Sequence, residues 1–234
     1  GSGVCANAAT FTAGSENATA GNVVSVPITV APSAGETSTD VNAYAIAISY
    51  DSSVLTPVVK GTDEVGDNTY ATVGDSFNSG VLTADLKDNE TGNDEVLIGW
   101  AAASPVNVTE ASTLATVDFT VNANATGSTD VKVAVAQVAN SASALADEST
   151  IEAVAGTVTV DTAKVVYGDA DGNGKVESAD ASLVAQAALD LITFTDSQIK
   201  ACDVDGNGKI ESADASLIAQ RALDLITSFP VENK

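Results

Sequence analysis

The sequence carries the same acidic twelve-residue pattern twice near its C-terminal end. "DADGNGKVESAD" occupies residues 169–180, and "DVDGNGKIESAD" occupies residues 203–214. Each copy leads into nearly the same segment, "SADASLVAQAALDLIT" at 178–193 and "SADASLIAQRALDLIT" at 212–227. A solvated acidic turn needs no fixed spacing of its carboxylates, so two copies in the same register indicate a duplicated binding loop.

The spacing inside each copy is that of a calcium-binding loop. Oxygen-bearing side chains stand at positions 1, 3, 5, 9 and 12, Gly174 or Gly208 stands at position 6, and the residue at position 7 donates its backbone carbonyl. Oxygen donors suit Ca²⁺ better than softer metals. Position 12 is Asp rather than Glu, so its shorter reach alters the last contact, and position 9 often coordinates through water. The sequence predicts two calcium ions held by Asp169, Asp171, Asn173, Lys175, Glu177, Asp180, Asp203, Asp205, Asn207, Lys209, Glu211 and Asp214.

Helical periodicity follows each loop. Apolar side chains recur on one face of residues 178–193 and again on residues 212–227. Between these segments, "TDSQIKAC" begins like a capping box, with Thr195 as the N-cap and Gln198 reaching back to it. The order predicts loop, helix, short helix, loop and helix, with the first apolar face formed by Leu183, Val184, Ala187, Ala188, Leu191 and Ile192.

Residues 11–160 follow a different period. Apolar and polar residues alternate, as in "ATVDFTV", where Val117, Phe119 and Val121 point one way and the polar residues between them point the other. Several such runs at short intervals, without an amphipathic helix among them, predict an antiparallel sandwich. The predicted strands lie within 22–32, 42–50, 112–123, 128–140 and 153–160.

Composition limits the partners and the chemistry. The chain has 234 residues with 32 acidic and nine basic side chains, a net charge of −23, which argues against nucleic acid and anionic membranes as partners. No run of about 18 apolar residues suggests a membrane span. The chain has no His, which excludes His-dependent triads and zinc–His sites, and its acidic residues lie mostly in turns. We therefore predict that the protein is not an enzyme.

The two cysteines, Cys5 and Cys202, lie at opposite ends of the chain and fit no zinc or redox motif. Three alternatives stay open: a long-range disulfide between them, two free thiols, or lipidation of Cys5 in a longer precursor. Four glycosylation-type Asn-X-Thr triplets lie in the first 130 residues. Together these features favour a secreted or cell-surface protein.

The duplicated unit has no helix before its first loop, where "KVVYG" indicates extended chain. Half of an EF-hand, duplicated and with Asp at position 12, resembles a dockerin, the calcium-dependent plug module of cellulosome-type assemblies. The resemblance covers Val165 to about Phe229, and it implies that calcium orders the unit and that its loop–helix faces contact a cohesin. In that family, loop positions 10 and 11 and the following helix set partner choice. Here the resemblance implies Ser178, Ala179, Gln186, Ser212, Ala213, Gln220 and Arg221.

The near identity of the two halves gives the unit a pseudo-twofold axis. A partner then grips either helix in two orientations that differ by about a half-turn, with Ala187 against Arg221 as the tie-breaker. The alternative is that the duplication only builds a self-complementary core.

The strand-rich region resembles a cohesin, a nine-stranded jelly-roll sandwich. The segments "VVSVPITVAP", "VNAYAIAISYDSSVLTPVVK" and "STLATVDFTVNANATGSTDVKV" carry this resemblance. Related sandwiches share these patterns, so a carbohydrate-binding module stays open as the alternative. Sugar binding needs exposed aromatic platforms, whereas Trp100 in the apolar run "VLIGWAA" is predicted to lie in the core. The acidic loop 88–95 lacks the spacing of a calcium loop.

These observations predict an all-β jelly-roll sandwich at residues 4–160, a short linker at 161–164 and a small all-α dockerin module at 165–234. The linker spans at most about 16 Å, which favours binding in trans. The predicted protein is a non-catalytic scaffold or adaptor. Its calcium-dependent dockerin plugs into a cohesin, and its sandwich receives a dockerin of another chain or of another copy of itself. The alternative is a carbohydrate-binding module that its dockerin anchors to a scaffold.

Overall fold

The computed structural model describes residues 8–161 and 165–234, and the chain divides into two compact units between residues 163 and 164. The described part of the first unit contains fifteen strands, more than the nine that the cohesin resemblance implies, because several are only two to four residues long. The strands are β1 (Ala9–Ala13), β2 (Glu16–Thr19), β3 (Val23–Pro32), β4 (Thr39–Asp51), β5 (Leu55–Pro57), β6 (Gly61–Thr62), β7 (Asn68–Thr69), β8 (Thr72–Val73), β9 (Val81–Lys87), β10 (Asn93–Val108), β11 (Ser112–Val121), β12 (Gly127–Ser141), β13 (Ala144–Leu145), β14 (Ile151–Val154) and β15 (Gly156–Asp161).

Thirteen of these strands form two main sheets around one core, while β6 and β7 pair with each other. The six-stranded sheet has the order β14-β1-β3-β11-β5, with β8 beside β11. The seven-stranded sheet has the order β2-β15-β12-β4-β10-β9, with β13 beside β12. Alternate residues of β3, β4 and β11 point into the shared core, which confirms the predicted sandwich.

Two strand pairs depart from the expected antiparallel arrangement. β1 pairs with β14 in parallel, and β15 pairs with β2 in parallel. The strands β1 and β2 follow one another along the chain but join different sheets, and so do β14 and β15. Because both segments cross between the sheets side by side and in the same direction, their pairings are parallel, and the expectation of a purely antiparallel sandwich is wrong here.

Strand β11 shows the predicted alternation. Val117, Phe119 and Val121 are fully buried in the core. Asp118 lies between them on the outer side, where Lys60 Nζ is 2.7 Å from its carboxylate and Ser25 Oγ donates a hydrogen bond of 2.7 Å. The period-two pattern therefore identified both faces of this strand correctly.

Trp100 lies in the core, as predicted. Its side chain is 3% exposed, its indole N–H donates to the carbonyl of Phe77 at 2.8 Å, and its ring stacks on Tyr44 with centroids 5.7 Å apart. A buried indole whose N–H is already paired offers no platform for a sugar ring.

The second unit contains three helices and a closing turn. Thr195 Oγ1 accepts a hydrogen bond from the Gln198 N–H, and Gln198 Oε1 accepts one from the Thr195 N–H, which confirms the predicted capping box. The helices are α1 (Ser178–Ala188), α2 (Asp196–Cys202) and α3 (Ser212–Ala222), followed by a 3-10 turn at Pro230–Asn233. The buried centre of this unit consists of Ala170, Val184, Cys202, Val204, Ile218 and Phe229.

Helices α1 and α3 end earlier than the predicted segments at 178–193 and 212–227. After α1, Asp190 adopts a φ of 58°, its N–H donates to the carbonyl of Ala187, and the N–H of Leu191 donates to the carbonyl of Gln186. These two bonds form a Schellman motif, which ends the helix although the apolar periodicity continues. Leu191 is 68% exposed, so its assignment to the buried helical face was wrong. Helix α3 ends in the same way.

Candidate calcium loops and interaction surfaces

Three carboxylates converge in each predicted calcium loop. Within each group, one oxygen of every residue lies within 4.8 Å of the others. Within residues 8–161 and 165–234, the groups of this kind are Asp169 with Asp171 and Asp180, and Asp203 with Asp205 and Asp214. The structure thus brings together the side chains at loop positions 1, 3 and 12, and convergent anionic oxygens are the donors that Ca²⁺ prefers.

Glycine at position 6 turns each loop inward. Gly174 and Gly208 have φ values of 83° and 86°, in the left-handed region that favours glycine. The Gly174 N–H donates to Asp169 Oδ2 at 2.8 Å, and the Gly208 N–H donates to Asp203 Oδ2 at 2.9 Å. The turn therefore aims backbone donors at the position-1 carboxylate and fixes its orientation.

The position-12 aspartates join each loop to the helix that follows it. Asp180 is fully buried, and its Oδ1 accepts from the N–H groups of Ala170 at 2.9 Å and Asp171 at 3.2 Å. Its Oδ2 accepts from the N–H of Glu177, the N-cap of α1, at 2.8 Å. Asp214 repeats these three bonds in the second loop. One carboxylate therefore holds the start of the loop and caps the helix.

The residues at positions 5, 7 and 9 contact one another in each loop. Asn173 Oδ1 accepts from the Lys175 N–H at 2.9 Å, and Asn173 Nδ2 donates to Glu177 Oε2 at 3.0 Å. The second loop repeats both contacts through its own Asn, Lys and Glu. The roles of these six residues as calcium ligands stay predictions.

Asp214 lies close to the other carboxylates of its loop. Burial raises the pKa of Asp214, and the nearby carboxylates of Asp205 and Asp203 raise it further, while hydrogen bonds from the Glu211 and Asp205 N–H groups lower it. Bound Ca²⁺ supplies positive charge that offsets this repulsion. The donor set fits a divalent cation for the same reason.

Cys202 belongs to the core of the second unit. Its side chain is fully buried, and burial, together with the negative charges of Asp180, Asp169 and Asp214, raises the pKa of its thiol to about 12. Cys5, its proposed disulfide partner, lies outside the described residues. The pairing between these two cysteines therefore stays a prediction.

The predicted recognition residues lie at both ends of α1 and α3. Ser178 and Ala179 are exposed at the start of α1, and Gln186 Nε2 lies 3.5 Å from Ser182 Oγ. The second copy matches this arrangement, with Ser212 and Ala213 exposed and Gln220 Nε2 3.3 Å from Ser216 Oγ. Arg221 differs from its counterpart Ala187 in carrying a charge, and its guanidinium lies 3.5 Å from the Asp224 carboxylate.

Each of these helices ends in an exposed Leu-Asp-Leu triplet that the sequence reasoning missed. Leu189 and Leu191 are 71% and 68% exposed, and Leu223 and Leu225 are both 69% exposed. The apolar periodicity hid this feature, because it assigned the second leucine of each triplet to the buried face. The Asp between the leucines, at the position where the helix reverses, was the available signal.

The outer face of the seven-stranded sheet carries small apolar side chains where polar ones are usual. Leu97 on β10 stands opposite Ala47 on β4, which stands opposite Ala134 on β12. Val81 and Leu97 are 64% and 39% exposed. We call this surface the small-residue face, and its members are Ala45, Ala47, Val81, Leu97, Ala101 and Ala134.

The acidic loop 88–95 uses its polar groups internally. Asp94 Oδ1 accepts from the Asn89 N–H at 3.1 Å, and Asn89 Nδ2 donates to the Asn93 carbonyl and to Glu95 Oε1, both at 2.9 Å. These contacts explain the loop as a hydrogen-bonded turn.

A comparison with protein families matches residues 167–223 to the family described as the dockerin type I domain. No curated protein matches the chain. Across the described residues, no helix combines the length and the apolarity needed to cross a membrane.

Solved structures of cohesins and of cohesin–dockerin complexes are similar to this chain. The seventh ScaB type I cohesin from Pseudobacteroides cellulosolvens is 19% identical, covers 67% of this chain and 94% of its own, and has a TM-score of 0.46. A Coh-OlpA-Doc918 cohesin–dockerin complex from Clostridium thermocellum is 14% identical, with coverage of 66% and 100% and a TM-score of 0.48. A third structure, of an Acetivibrio cellulolyticus ScaC cohesin with the ScaB dockerin, is 45% identical, covers 30% of this chain and 100% of its own, and has a TM-score of 0.29.

The chain consists of a two-sheet β-sandwich and a small helical unit with two acidic loops. That helical unit, over residues 167–223, belongs to the dockerin type I family. The match confirms the resemblance that the duplicated loops predicted.

Proposed function

We propose that the protein is a non-catalytic adaptor with two binding ends. Its C-terminal unit plugs into a cohesin of another protein when calcium is bound, and its sandwich receives a dockerin. One observation carries the proposal: two groups of three convergent carboxylates lie in loops of a segment that matches the dockerin type I family. A cohesin–dockerin pair is an interaction module of extracellular cellulosome-type assemblies, so we also propose a secreted or cell-surface location.

Calcium dependence follows from the size and charge of the C-terminal unit. Its buried centre is small, and a core of this size usually needs a metal or another staple. The carboxylates that converge in each loop repel one another and oppose closure of the loop. The binding energy of the cation then becomes folding energy of the unit.

The proposed cohesin-binding surface of the second unit combines small residues at the start of a helix with exposed leucines at its end. Ser178 and Ala179 at the start of α1 allow a partner to approach the helix closely, and the exposed Leu189 and Leu191 supply apolar area at its end. Because α3 presents the same types of residue, the unit offers two equivalent surfaces. We propose that a cohesin binds either one, in two orientations.

The small-residue face is the proposed receptor surface of the sandwich. Its short side chains leave the sheet open to close approach by a helix, and Val81 and Leu97 offer exposed apolar area. The sheet holds this surface rigid, because β4 and β10 pair along almost their whole length. We propose that an incoming dockerin places its helix across these strands.

The proposal is tested with the full chain in two binding experiments. A cohesin domain is titrated against it by calorimetry in calcium and in excess EDTA, and we expect binding in calcium alone. Dockerin capture by the immobilised chain is then compared for Leu97→Glu and for Val23→Glu. Val23 is 58% exposed on the six-stranded sheet and serves as the matched control. We expect Leu97→Glu to lose capture and Val23→Glu to keep it. Equal cohesin binding in EDTA, or equal capture by both variants, contradicts the corresponding half of the proposal.

A further inference from the structure

The two calcium loops hold the position-1 carboxylate through different backbone amides, despite their matching sequences. In the second loop, the Asn207 N–H donates to Asp203 Oδ1 and to Asp205 Oδ1, at 3.1 Å each. In the first loop, the equivalent Asn173 N–H donates to Asp171 Oδ1 at 3.1 Å, and the Gly172 N–H donates to Asp169 Oδ1 at 2.9 Å. The Gly206 N–H of the second loop donates instead to the Asp203 carbonyl at 3.2 Å. The position-1 carboxylate therefore accepts from the position-4 amide in the first loop and from the position-5 amide in the second.

Lys234 contacts the second loop at this point. Its Nζ donates to the carbonyls of Asp205 at 3.2 Å and Gly206 at 3.0 Å. The Gly206 carbonyl and the Asn207 N–H belong to the same peptide group, and a charged donor on the carbonyl polarises the N–H at the other end. At the equivalent Gly172 of the first loop, a Cβ atom would meet nothing within 4 Å, whereas at Gly206 it would lie 2.6 Å from Lys234 Nζ.

A folded segment, residues 229–234, holds Lys234 in place. We call it the C-terminal strap. Phe229 is 2% exposed and packs against Gly168 before the first loop, where a Cβ atom would lie 2.9 Å from its ring. The Val231 N–H donates to the Val204 carbonyl at 3.0 Å. The strap therefore contacts the second loop and the residue that precedes the first loop. It lies beyond the family match, which ends at residue 223.

We infer that Lys234 is a positioning residue for the second calcium site. A peptide carbonyl and its N–H point in opposite directions, so the ammonium sits on the far side of the loop backbone from the carboxylates. It orders the Asn207 N–H, which in turn orders the position-1 and position-3 carboxylates. A preordered site loses less conformational freedom when its ion binds, so loss of Lys234 weakens calcium binding at the second loop. This inference rests on the calcium binding of the proposed function.

The test measures calcium affinity in the full chain with one loop disabled. Asp169→Asn leaves the second loop as the intact site, and Asp203→Asn leaves the first. We expect Lys234→Gln to weaken calcium binding roughly threefold to tenfold in the Asp169→Asn background, and less than about twofold in the Asp203→Asn background. Lys234→Arg should retain most of the affinity. Lys200→Gln removes an equal charge from the exposed side of α2 and should change neither background.

A second measurement covers the case in which a disabled loop unfolds the unit. Hydrogen exchange of the calcium-loaded chain, with both loops intact, compares the amides of Asn207 and Asn173. Lys234→Gln should speed exchange at Asn207 and leave Asn173 unchanged. Equal exchange at both amides, or tighter calcium binding in Lys234→Gln, overturns the inference. If the unaltered chain binds no calcium, the proposed function fails with it, whereas two bound ions with no effect of Lys234→Gln remove this inference alone.

Discussion

Asp180 and Asp214 each serve a loop and a helix at once. The side chain at loop position 12 is also the third residue of the following helix, where a short carboxylate reaches back to the N-cap N–H. The spacing in the sequence predicted the position of this ligand, but its second role appeared only when the helix start was known.

Replacing either aspartate should remove one ion and weaken the unit. In Asp180→Asn, one of the two acceptor oxygens becomes a donor that faces the Glu177 N–H, and the negative charge is lost. We expect one calcium ion fewer per chain by calorimetry, and a loss of roughly 1–3 kcal/mol in the free energy of unfolding. Asp214→Asn should behave alike. Asp224→Asn, at a side chain that is 92% exposed, should retain both ions, and full retention by Asp180→Asn would refute the assignment.

Alanine substitutions at Gly168 and Gly172 distinguish the cost of backbone strain from the cost of a steric clash. Both have positive φ, at 90° and 79°, so alanine at either position costs about 1 kcal/mol in conformational energy. A Cβ at Gly168 would also press on the Phe229 ring, whereas nothing lies within 4 Å at Gly172. Thermal unfolding followed by circular dichroism should show a larger loss of stability for Gly168→Ala. Equal losses of stability in the two variants would show that the Phe229 ring moves aside at no energetic cost.

At the scale of single helices, the sequence predicted the number and order of the helices better than the residues at which they end. The apolar period continues through Leu191 and Ile192, but the backbone reverses at Asp190 because two N–H groups bond back to carbonyls of the last turn. An Asp at this place is a weaker stop signal than the usual Gly. Local pattern alone therefore did not locate the helix end.

Asp190 offers a direct test of this helix end. Glycine adopts the observed φ of 58° without a Cβ penalty, whereas alanine does not. We expect Asp190→Ala to be less stable than Asp190→Gly by about 1 kcal/mol in denaturant unfolding of the calcium-loaded chain. The same pair of substitutions at Asp224 should give the same difference. The reverse order in stability would mean that the turn is not held in this conformation.

For the strands too, the local pattern predicted the buried face but not the pairing. The alternation in "NAYAIAISY" predicted one buried face of β4, and that face is buried. Its other face carries three alanines and one Ser, and the period-two argument treats it as an ordinary solvated surface. The small-residue face became visible only when the register placed Ala47 between Leu97 and Ala134. Strand pairing over long sequence separations is not encoded in any local pattern.

At the scale of the whole molecule, the two units should respond differently to calcium removal. Among the described residues, the α-helices lie in the second unit, and the single Trp of the chain, Trp100, is buried in the first. Excess EDTA should therefore reduce the helical circular dichroism while the fluorescence of Trp100 keeps the blue-shifted emission of a buried indole. A helical signal that survives EDTA contradicts the coupling of calcium to folding. A parallel change in Trp100 emission contradicts the independence of the units.

Duplication also makes the attachment of the second unit tolerant of damage. If the surfaces of α1 and α3 are equivalent plugs, a lesion confined to one of them halves the number of ways to dock. Halving the number of equivalent binding modes weakens the apparent affinity by about twofold, or about 0.4 kcal/mol. A chain in which one of the two surfaces is damaged would therefore stay bound to its partner. A unit with a single binding surface would dissociate after the same damage.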